Sequence, residues 1–263
     1  PSGFILIRVL GAVVLFHLVG LGFTAEKVAR KHWPRLALAA FFGVAANQLL
    51  FFEGLNLTTP INASVIMTTN PIIVLVLSAV VLKVPIKPVR VIGIILGLGG
   101  ALLLITRGEG FGQLLTSGVS QGNLMVFLNA ASYGAYLIVI KPLMAQYKAL
   151  TVIKWIFTIG LLYVIPFGYS QFMAVAWADI PLIIGLEIAY VIVGTTFLAY
   201  LLNVYALKTV ASTTVSFYIY LQPLFASAAA IALGKDSLSA ITLGAAALIF
   251  SGVYLVSFHR KNF

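Results

Sequence analysis

Residues 56–82, NLTTPINASVIMTTNPIIVLVLSAVVL, give the clearest indication of the architecture of this chain. It carries no charged side chain, and it is long enough to cross a hydrocarbon core of about 30 Å, which requires about 20 residues. Pro71 lies near its middle. A second stretch, LKTVASTTVSFYIYLQPLFASAAAIAL at residues 207–233, has the same length and a central proline, Pro223. Together they predict two equivalent membrane-spanning helices.

The composition extends this prediction to the whole chain. Of 263 residues, 62% are apolar and 8% are charged, and the mean hydropathy is +1.11. Soluble domains are about 45–50% apolar and about 25% charged, so a soluble protein is excluded. The net charge of +10 is scattered between apolar runs, whereas a nucleic-acid-binding protein carries a dense basic face. We therefore expect an all-α membrane protein, a polytopic helical bundle.

Nine apolar segments reach the length of a membrane span. The connectors between them are short and contain Pro, Gly, Asn or charged residues, so we expect each segment to cross the membrane in turn. The longest connector, Thr106–Asn123, is typical of a flexible link between two halves. The predicted spans are Phe4–Leu21, Leu36–Leu55, Ile61–Leu82, Val89–Ile105, Leu124–Ile140, Ile153–Tyr169, Ile180–Leu202, Val210–Leu233 and Leu238–Phe258.

The distribution of Lys and Arg predicts the orientation of the bundle. Thirteen of these sixteen residues lie in one alternating set of connectors and tails, and only Arg107 and Lys235 lie in the other set. Because cytoplasmic loops carry an excess of Lys and Arg, we expect a cytoplasmic C-terminus in the inner (cytoplasmic) membrane. Nine crossings then place Pro1 outside, so we expect a further helix upstream and about ten helices in the complete protein. A native nine-span protein with a trimmed leader is the alternative.

The two proline-bearing segments belong to a longer internal repeat. Residues 43–105 align without a gap on residues 195–257, 152 positions later, and the spans, connectors and central prolines stay in register. Five crossings separate Pro71 from Pro223, and an odd number of crossings reverses the direction of a helix. We therefore expect an inverted-topology repeat, the arrangement in which many transporters place a substrate route between the halves.

Several segments resemble the EamA family of the drug/metabolite transporter superfamily. The stretches 56–82 and 207–233 resemble equivalent helices of the family's two repeats, and QGNLMVFLNAASYGAYLIVIKPL (121–143) resembles the first helix of such a repeat. PSGFILIRVLGAVVL (1–15) resembles the second helix, and LGAAALIFSGVYLV (243–256) resembles the closing helix.

The resemblance implies a ten-helix protein made of two inverted five-helix repeats, with the family's first helix absent from this sequence. On this basis we expect the first repeat at residues 1–106, a linker at 107–120 and the second repeat at 121–263. The resemblance also implies export of small metabolites, amino acids or toxic compounds.

Polar side chains inside the spans are candidates for a substrate pathway, because polar groups are costly within lipid. Asn62 and Asn70 share one face of the third span, and Thr214, Tyr218 and Gln222 repeat this pattern on the eighth. They predict a mid-membrane surface that offers hydrogen bonds to a small polar solute. The alternative is that these side chains bridge neighbouring helices, which contributes about 0.6–2 kcal/mol each.

A second set of candidates lies on other spans. Asn129 and Tyr133 lie on the fifth span, and Asn47 lies on the second. The resemblance implies that the fifth span is the symmetry mate of the absent helix and lines a central cavity, with packing inside the bundle as the alternative. Pro71 and Pro223 each remove a helical hydrogen bond, so they are candidate hinges.

Three charged residues inside spans are candidates for contacts with a proton or a substrate. Glu187 lies seven residues into the seventh span and is the candidate for proton coupling, with a structural ion or hydroxyl partner as the alternative. Arg8 and Glu53 both lie near the outer ends of their spans. Three alternatives are open for them: pairing with each other, contact with a substrate carboxylate, or extension to the membrane interface.

These features predict a secondary transporter, an exporter of small organic solutes such as amino acids or other metabolites, working by alternating access. A non-transporting fragment or membrane assembly partner is the alternative. A membrane-embedded enzyme is less favoured, because the six acidic residues stand apart and the chain has no cysteine. We expect no cofactor and no metal ion, and the expected partners are a small-molecule substrate and the lipid bilayer. A GxxxG pattern at Gly93 and Gly97 leaves internal packing and a homodimer open.

Overall fold

A computed structural model describes residues 1–22, 26–58, 60–105, 120–234 and 239–258. Over these residues the chain forms nine consecutive helices and no strand, which confirms the prediction of an all-α polytopic bundle. Residues 107–119 of the predicted linker lie outside the described residues, as does Lys235. The helices are α1 (Ser2–Leu21), α2 (Arg30–Leu57), α3 (60–81), α4 (Pro88–Ile105), α5 (Ser120–Met144), α6 (Ala149–Met173), α7 (Leu182–Thr209), α8 (212–232) and α9 (Ala240–Phe258).

The helices have the composition of membrane spans. Six of the described helices are long and apolar enough to cross a bilayer, and the apolar helices at Pro88–Leu103 and Ala240–Val256 are shorter. Large apolar side chains cover the outside of the bundle, where Leu182, Val80 and Tyr190 are 79%, 71% and 69% exposed. Apolar exposure on this scale favours contact with lipid tails rather than water. The chain is a multi-pass membrane protein.

Irregular stretches of helix occur in equivalent pairs. α2 and α7 each contain a π-helical stretch, at Phe41–Ala46 and Val191–Leu198. α3 is interrupted at Thr68–Thr69, and α8 tightens into a 3₁₀ turn at Tyr218–Tyr220, in both cases shortly before the central proline. Proline explains the second pair, because its nitrogen cannot donate a hydrogen bond to the carbonyl group four residues earlier.

The helix boundaries also repeat along the chain. α2 at Arg30–Leu57 and α7 at Leu182–Thr209 have equal lengths and begin 152 residues apart. α3 and α8 begin 152 residues apart as well, and so do α4 and α9. α1 and α6 end 152 residues apart. The offset seen in the sequence is therefore also the offset of the structural repeat.

Equivalent helices pack against each other and run in opposite directions. On α4 and α9, a Cβ atom added at Gly93 would lie 3.0 Å from the carbonyl oxygen of Gly252. A Cβ atom added at Gly100 would lie 2.7 Å from the carbonyl oxygen of Ala245. As the residue number rises along α4 it falls along α9, so these two helices are antiparallel.

α1 and α6 form a second antiparallel pair. A Cβ atom added at Gly3 would lie 2.9 Å from the Cβ atom of Gln171, and one added at Gly20 would lie 3.7 Å from the Cδ atom of Lys154. The start of α1 therefore lies beside the end of α6, and the end of α1 beside its start. Two antiparallel pairs of equivalent helices make the fold an inverted repeat.

Two apolar clusters form the interior. The larger cluster contains Phe16, Tyr136 and Phe157 and joins α1, α2, α5 and α6 to parts of α3 and α7. The smaller cluster contains Phe217 and Tyr220 and joins α3, α4, α8 and α9. The helices that surround the cavity described next come from both groups.

Candidate functional site

A cavity of about 550 Å³ lies between the two halves of the bundle. Its lining comes from α1, α2, α3, α5, α7 and α8. Four pairs of lining residues occupy equivalent positions of the repeat, so the cavity surrounds the axis that relates the halves. These pairs are Asn47 and Ala199, Gln48 and Tyr200, Phe51 and Asn203, and Met67 and Ile219.

The structure brings six of the predicted site residues to this cavity. What they share is a polar or charged side chain, or the central proline, within an apolar span. Their functional roles stay predictions. They are Arg8, Asn47, Asn129, Tyr133, Gln222 and Pro223.

Hydrogen bonds hold the polar part of the lining in place. The side chain of Asn129 donates from Nδ2 to the carbonyl oxygen of Asn47 at 2.6 Å, which joins α5 to α2. The hydroxyl of Tyr200 donates to Oδ1 of Asn47 at 3.3 Å, which joins α7 to α2. Asn203 donates from Nδ2 to the hydroxyl of Tyr133 at 2.7 Å, which joins α7 to α5. The three helices therefore form one connected polar wall.

Arg8 is the one charged residue among the described lining residues. Its Nε donates to Oγ1 of Thr196 at 2.5 Å, and its Cζ lies 5.4 Å from the centre of the Phe52 ring, within cation–π range. Of the alternatives for Arg8 and Glu53, pairing with each other is not seen among the described residues. The Oε1 atom of Glu53 accepts a hydrogen bond from Oγ of Ser2 instead, at 2.6 Å.

The other predicted site residues lie outside the cavity lining. Asn70 is buried and donates from Nδ2 to the carbonyl oxygen of Ala130 at 2.7 Å, so it bridges α3 and α5. Asn62 is also buried, whereas Tyr218 and Glu187 are exposed. The predicted residues outside the lining are Glu53, Asn62, Asn70, Pro71, Glu187, Thr214 and Tyr218.

Interruptions of α3 and α8 explain this division. The sequence pattern assumes an unbroken helix from Thr214 to Gln222, with 3.6 residues per turn. The 3₁₀ turn at Tyr218–Tyr220 has three residues per turn, so the faces before and after it do not coincide. In the same way, the interruption at Thr68–Thr69 means that Asn70 does not share a face with the residues of α3 before it. Gln222 therefore lines the cavity although the residues one and two turns before it do not.

Sequence reasoning missed part of the lining. Gln48, Phe52, Ser64 and Thr68 line the cavity and were not predicted. Two of these positions carried a usable pattern, since Gln48 is an amide within an apolar span and Ser64 aligns with Ser216 in the repeat. Phe52 carried none, because aromatic side chains pack between helices as readily as they line cavities.

The cavity reaches one end of the bundle and stops short of the other. Leu55 and Pro60, which flank the connection between α2 and α3, both line it. The equivalent connection, between α7 and α8, lies at the opposite end because the repeat is inverted. There Lys141 on α5 donates from Nζ to the carbonyl oxygens of Leu207 and Val210. One connection therefore borders the cavity, and its equivalent is sealed against α5.

The lining combines polar, aromatic and charged groups. It contains amide, hydroxyl and aromatic groups and one guanidinium, and the described lining residues include no Asp, Glu or His. In the described ranges, no three His, Asp or Glu side chains come together. The arrangement offers hydrogen bonds and a positive charge to a small molecule.

Comparisons with known proteins place the chain among transporters. Residues 1–106 and 120–258 match the EamA-like transporter family. An uncharacterized transporter of Bacillus subtilis (strain 168), YyaM, is 25% identical over 246 residues, which cover 94% of this chain and 80% of that protein. An uncharacterized transporter of Archaeoglobus fulgidus is 24% identical over 231 residues, which cover 88% of this chain and 78% of that protein.

The fold also matches a solved structure, described only as the crystal structure of a protein. The TM-score is 0.76 over 100% of this chain and 90% of that chain, at 17% sequence identity, so this likeness concerns the fold alone. The family match extends over both halves of the inverted repeat. The chain therefore belongs to the EamA-like transporter family, as the sequence resemblance predicted.

Proposed function

We propose that this chain is a secondary transporter that moves small organic solutes across the cytoplasmic membrane by alternating access. The observation that supports the proposal is a cavity around the axis of an inverted repeat. The connection between α2 and α3 borders this cavity, and the equivalent connection, between α7 and α8, is held against α5. Inverted repeats allow the two halves to exchange conformations, so that the sealed end opens as the open end closes. The same side chains then meet the solute from either side of the membrane.

The size and lining of the cavity support a small organic solute. Its volume of about 550 Å³ lies within the range of about 300–1,000 Å³ that is typical of small-molecule sites. Phe51 and Leu55 provide apolar surface, while Asn47, Asn129 and Gln222 provide amide groups. Amino acids and metabolites of similar size are therefore the proposed substrates.

The sealed end is held by hydrogen bonds that a rocking movement has to break. Lys141 on α5 donates to the carbonyl oxygens of Leu207, in the last turn of α7, and of Val210, directly after it. Ser212, at the start of α8, donates from Oγ to the carbonyl oxygen of Leu137 on α5 at 3.0 Å. Both contacts tie the connection between α7 and α8 to α5. Pro71 and Pro223 are the proposed hinges, because α3 and α8 are irregular beside them.

The orientation, repeat boundaries and direction are parts of the proposal. The excess of Lys and Arg in one set of connectors supports a cytoplasmic C-terminus, which places the open end of the cavity outside. We assign the repeats to residues 1–106 and 121–263, joined by the linker 107–120. Export is the direction that the family resemblance favours. A proton gradient or solute exchange supplies the energy, with Glu187 as a coupling group that acts from outside the cavity.

Flux through the reconstituted protein tests the proposal. Proteoliposomes are loaded with a mixture of ¹⁴C-labelled amino acids and made with the natural chain, the Asn47→Ala/Gln222→Ala variant or a Ser251→Ala control. Ser251 is exposed on α9, and among the described residues its hydroxyl bonds within its own helix, to the carbonyl oxygen of Ala247. We expect the natural chain and the control to release the amino acids and the double variant to lose most of this flux. Equal flux from all three would remove the cavity from the route.

A further inference from the structure

We propose that the cavity binds the carboxylate group of its solute at Arg8, an inference that rests on the transport function proposed above. Arg8 is half-buried and supplies the one charge in the described lining. The planar guanidinium matches a carboxylate through two parallel N–H···O bonds. The substrate class is therefore an organic acid or an amino acid rather than a neutral or purely cationic solute.

The contacts of Arg8 fix its position through Nε and the face of the guanidinium. Its Nε donates to Oγ1 of Thr196 at 2.5 Å, and that hydroxyl donates to the carbonyl oxygen of Val191 at 2.9 Å within the π-helical stretch of α7. The ring of Phe52 lies against the guanidinium. Among the described residues, neither terminal amino group of Arg8 has a hydrogen-bond partner. The side chain is held in place with its two terminal groups available.

The positive charge of Arg8 is not neutralised by the protein residues described around it. Glu53, on the neighbouring helix α2, accepts a hydrogen bond from Ser2. The described lining contains no acidic residue. A half-buried cation without a counter-ion attracts anionic ligands, because partial burial reduces the screening of its charge.

The inverted repeat provides an internal comparison for this contact. The position equivalent to Arg8 is Gly160, and the position equivalent to Thr196 is Val44. A Cβ atom added at Gly160 would lie 2.7 Å from the side chain of Val44, so the same helix-to-helix contact exists in the other half. That contact packs without any charge, which means that the fold does not require an Arg–Thr pair there. Binding of a solute anion explains why one half has Arg8 and Thr196 where the other half has Gly160 and Val44.

A single introduced thiol reports the charge, because the natural chain contains no cysteine. Ser64 is exposed, lines the cavity and bonds within its own helix to Pro60, so Ser64→Cys is a mild change. Purified protein is treated with the anionic 2-sulfonatoethyl or the cationic 2-(trimethylammonio)ethyl methanethiosulfonate. We compare the rates at which the anionic and the cationic reagent modify this thiol. The ratio of the anionic rate to the cationic rate is expected to fall on the order of tenfold when Arg8→Gln is added, and to stay high with Arg8→Lys. At the control Ala176→Cys, in the exposed connection between α6 and α7, the ratio stays unchanged.

Protection of the same thiol identifies the ligand class. L-phenylalanine, 3-phenylpropionate, 3-phenylpropionamide and phenethylamine share an aromatic body and differ in charge. We expect the two carboxylates to slow the reaction at concentrations about tenfold below those that the amide requires, and Arg8→Gln to abolish this difference. Stronger protection by phenylalanine would identify amino acids as the source of the carboxylate, and stronger protection by phenylpropionate would identify free acids.

Three results would overturn the proposal: a rate ratio unaffected by Arg8→Gln, equal protection by acid and amide, or no protection by either carboxylate. If Arg8→Gln does not fold, Thr196→Val takes its place, since it keeps the charge and removes its anchor. That variant is expected to weaken the preference for carboxylates while the rate ratio persists, and an unchanged preference would also count against the proposal. Both measurements use purified protein and record no flux, so their outcome is separate from that of the proposed transport function.

Discussion

Gly93 on α4 and Gly252 on α9 lie so close that a Cβ atom on either residue would come within 3.0 Å of the other's carbonyl oxygen. The equivalent contact joins Gly100 to Ala245. When residue i contacts j, and the equivalents of i and j contact each other in the same way, the arrangement is two-fold symmetric. The GxxxG pattern of α4 therefore serves packing inside the chain.

Gly252→Ala is expected to destabilise the protein. The added methyl group would lie 2.6 Å from the carbonyl oxygen of Gly93, so the backbone of α4 has to shift. Overpacking of this kind costs about 1–3 kcal/mol. We expect a lower Tm in detergent than for Gly244→Ala, the control on the same helix, where an added Cβ meets nothing within 4 Å. Equal Tm values for the two variants would contradict the close contact.

Lys141→Gln is expected to loosen the sealed end, because the variant loses the ammonium that binds the carbonyl oxygens of Leu207 and Val210. Ser216 on α8 is fully buried, so the thiol of Ser216→Cys should resist modification in the natural background. We expect Lys141→Gln to accelerate modification on the order of tenfold, as for the loss of about one charge-assisted hydrogen bond. Lys208→Gln, an exposed lysine near the same connection, is the matched control. An unchanged rate would show that Lys141 does not close this end.

Asn70 and Gln222 occupy equivalent positions but are expected to differ in effect. Asn70 bridges α3 to α5 through Ala130, so Asn70→Ala should lower stability by about 0.6–2 kcal/mol and leave solute binding unchanged. Gln222 lines the cavity, so Gln222→Ala should weaken binding with little change in Tm. Binding is read from the concentration of phenylalanine that protects the Ser64→Cys thiol. The opposite assignment of the two effects would refute this division of roles.

Glu187→Gln is expected to separate energy coupling from solute binding. Glu187 is exposed on α7 and lies outside the lining, so its loss should not alter the site itself. In proteoliposomes we expect the variant to lose flux driven by a pH gradient and to retain solute exchange. Asp179→Asn, an exposed acid in the connection before α7, is the control and should keep both activities. If pH-driven flux survives in Glu187→Gln, this residue is not the coupling group.

The positions of the helices could be predicted because the bilayer sets the length of each apolar segment. The predicted span Phe4–Leu21 lies within α1 and reaches its last residue. The prediction for α2 began at Leu36, whereas the helix begins at Arg30. Its first turns carry basic residues, so apolarity does not mark the start of this helix. The inverted repeat was predictable for a different reason, since the spans and their prolines recur in register.

The site could be predicted only in part, because its geometry depends on local pitch and on neighbouring helices. The turn at Tyr218–Tyr220 changes which residues of α8 share a face, and periodicity alone does not reveal it. The burial of Asn70 against α5 depends on a partner that the sequence of α3 does not specify. The role of Thr196 as the anchor of Arg8 depends on a contact between α1 and α7, residues far apart in the chain.

The most direct test of alternating access is the labelling of Gln222→Cys from both sides of the membrane. The thiol lies in the cavity of a chain without natural cysteine, so every reaction reports this position. Right-side-out and inside-out membrane vesicles are treated with the impermeant sulfonatoethyl methanethiosulfonate. We predict reaction in both preparations, because the cavity opens to each side in turn. Reaction in one orientation alone would show a pocket with a single entrance and would contradict alternating access.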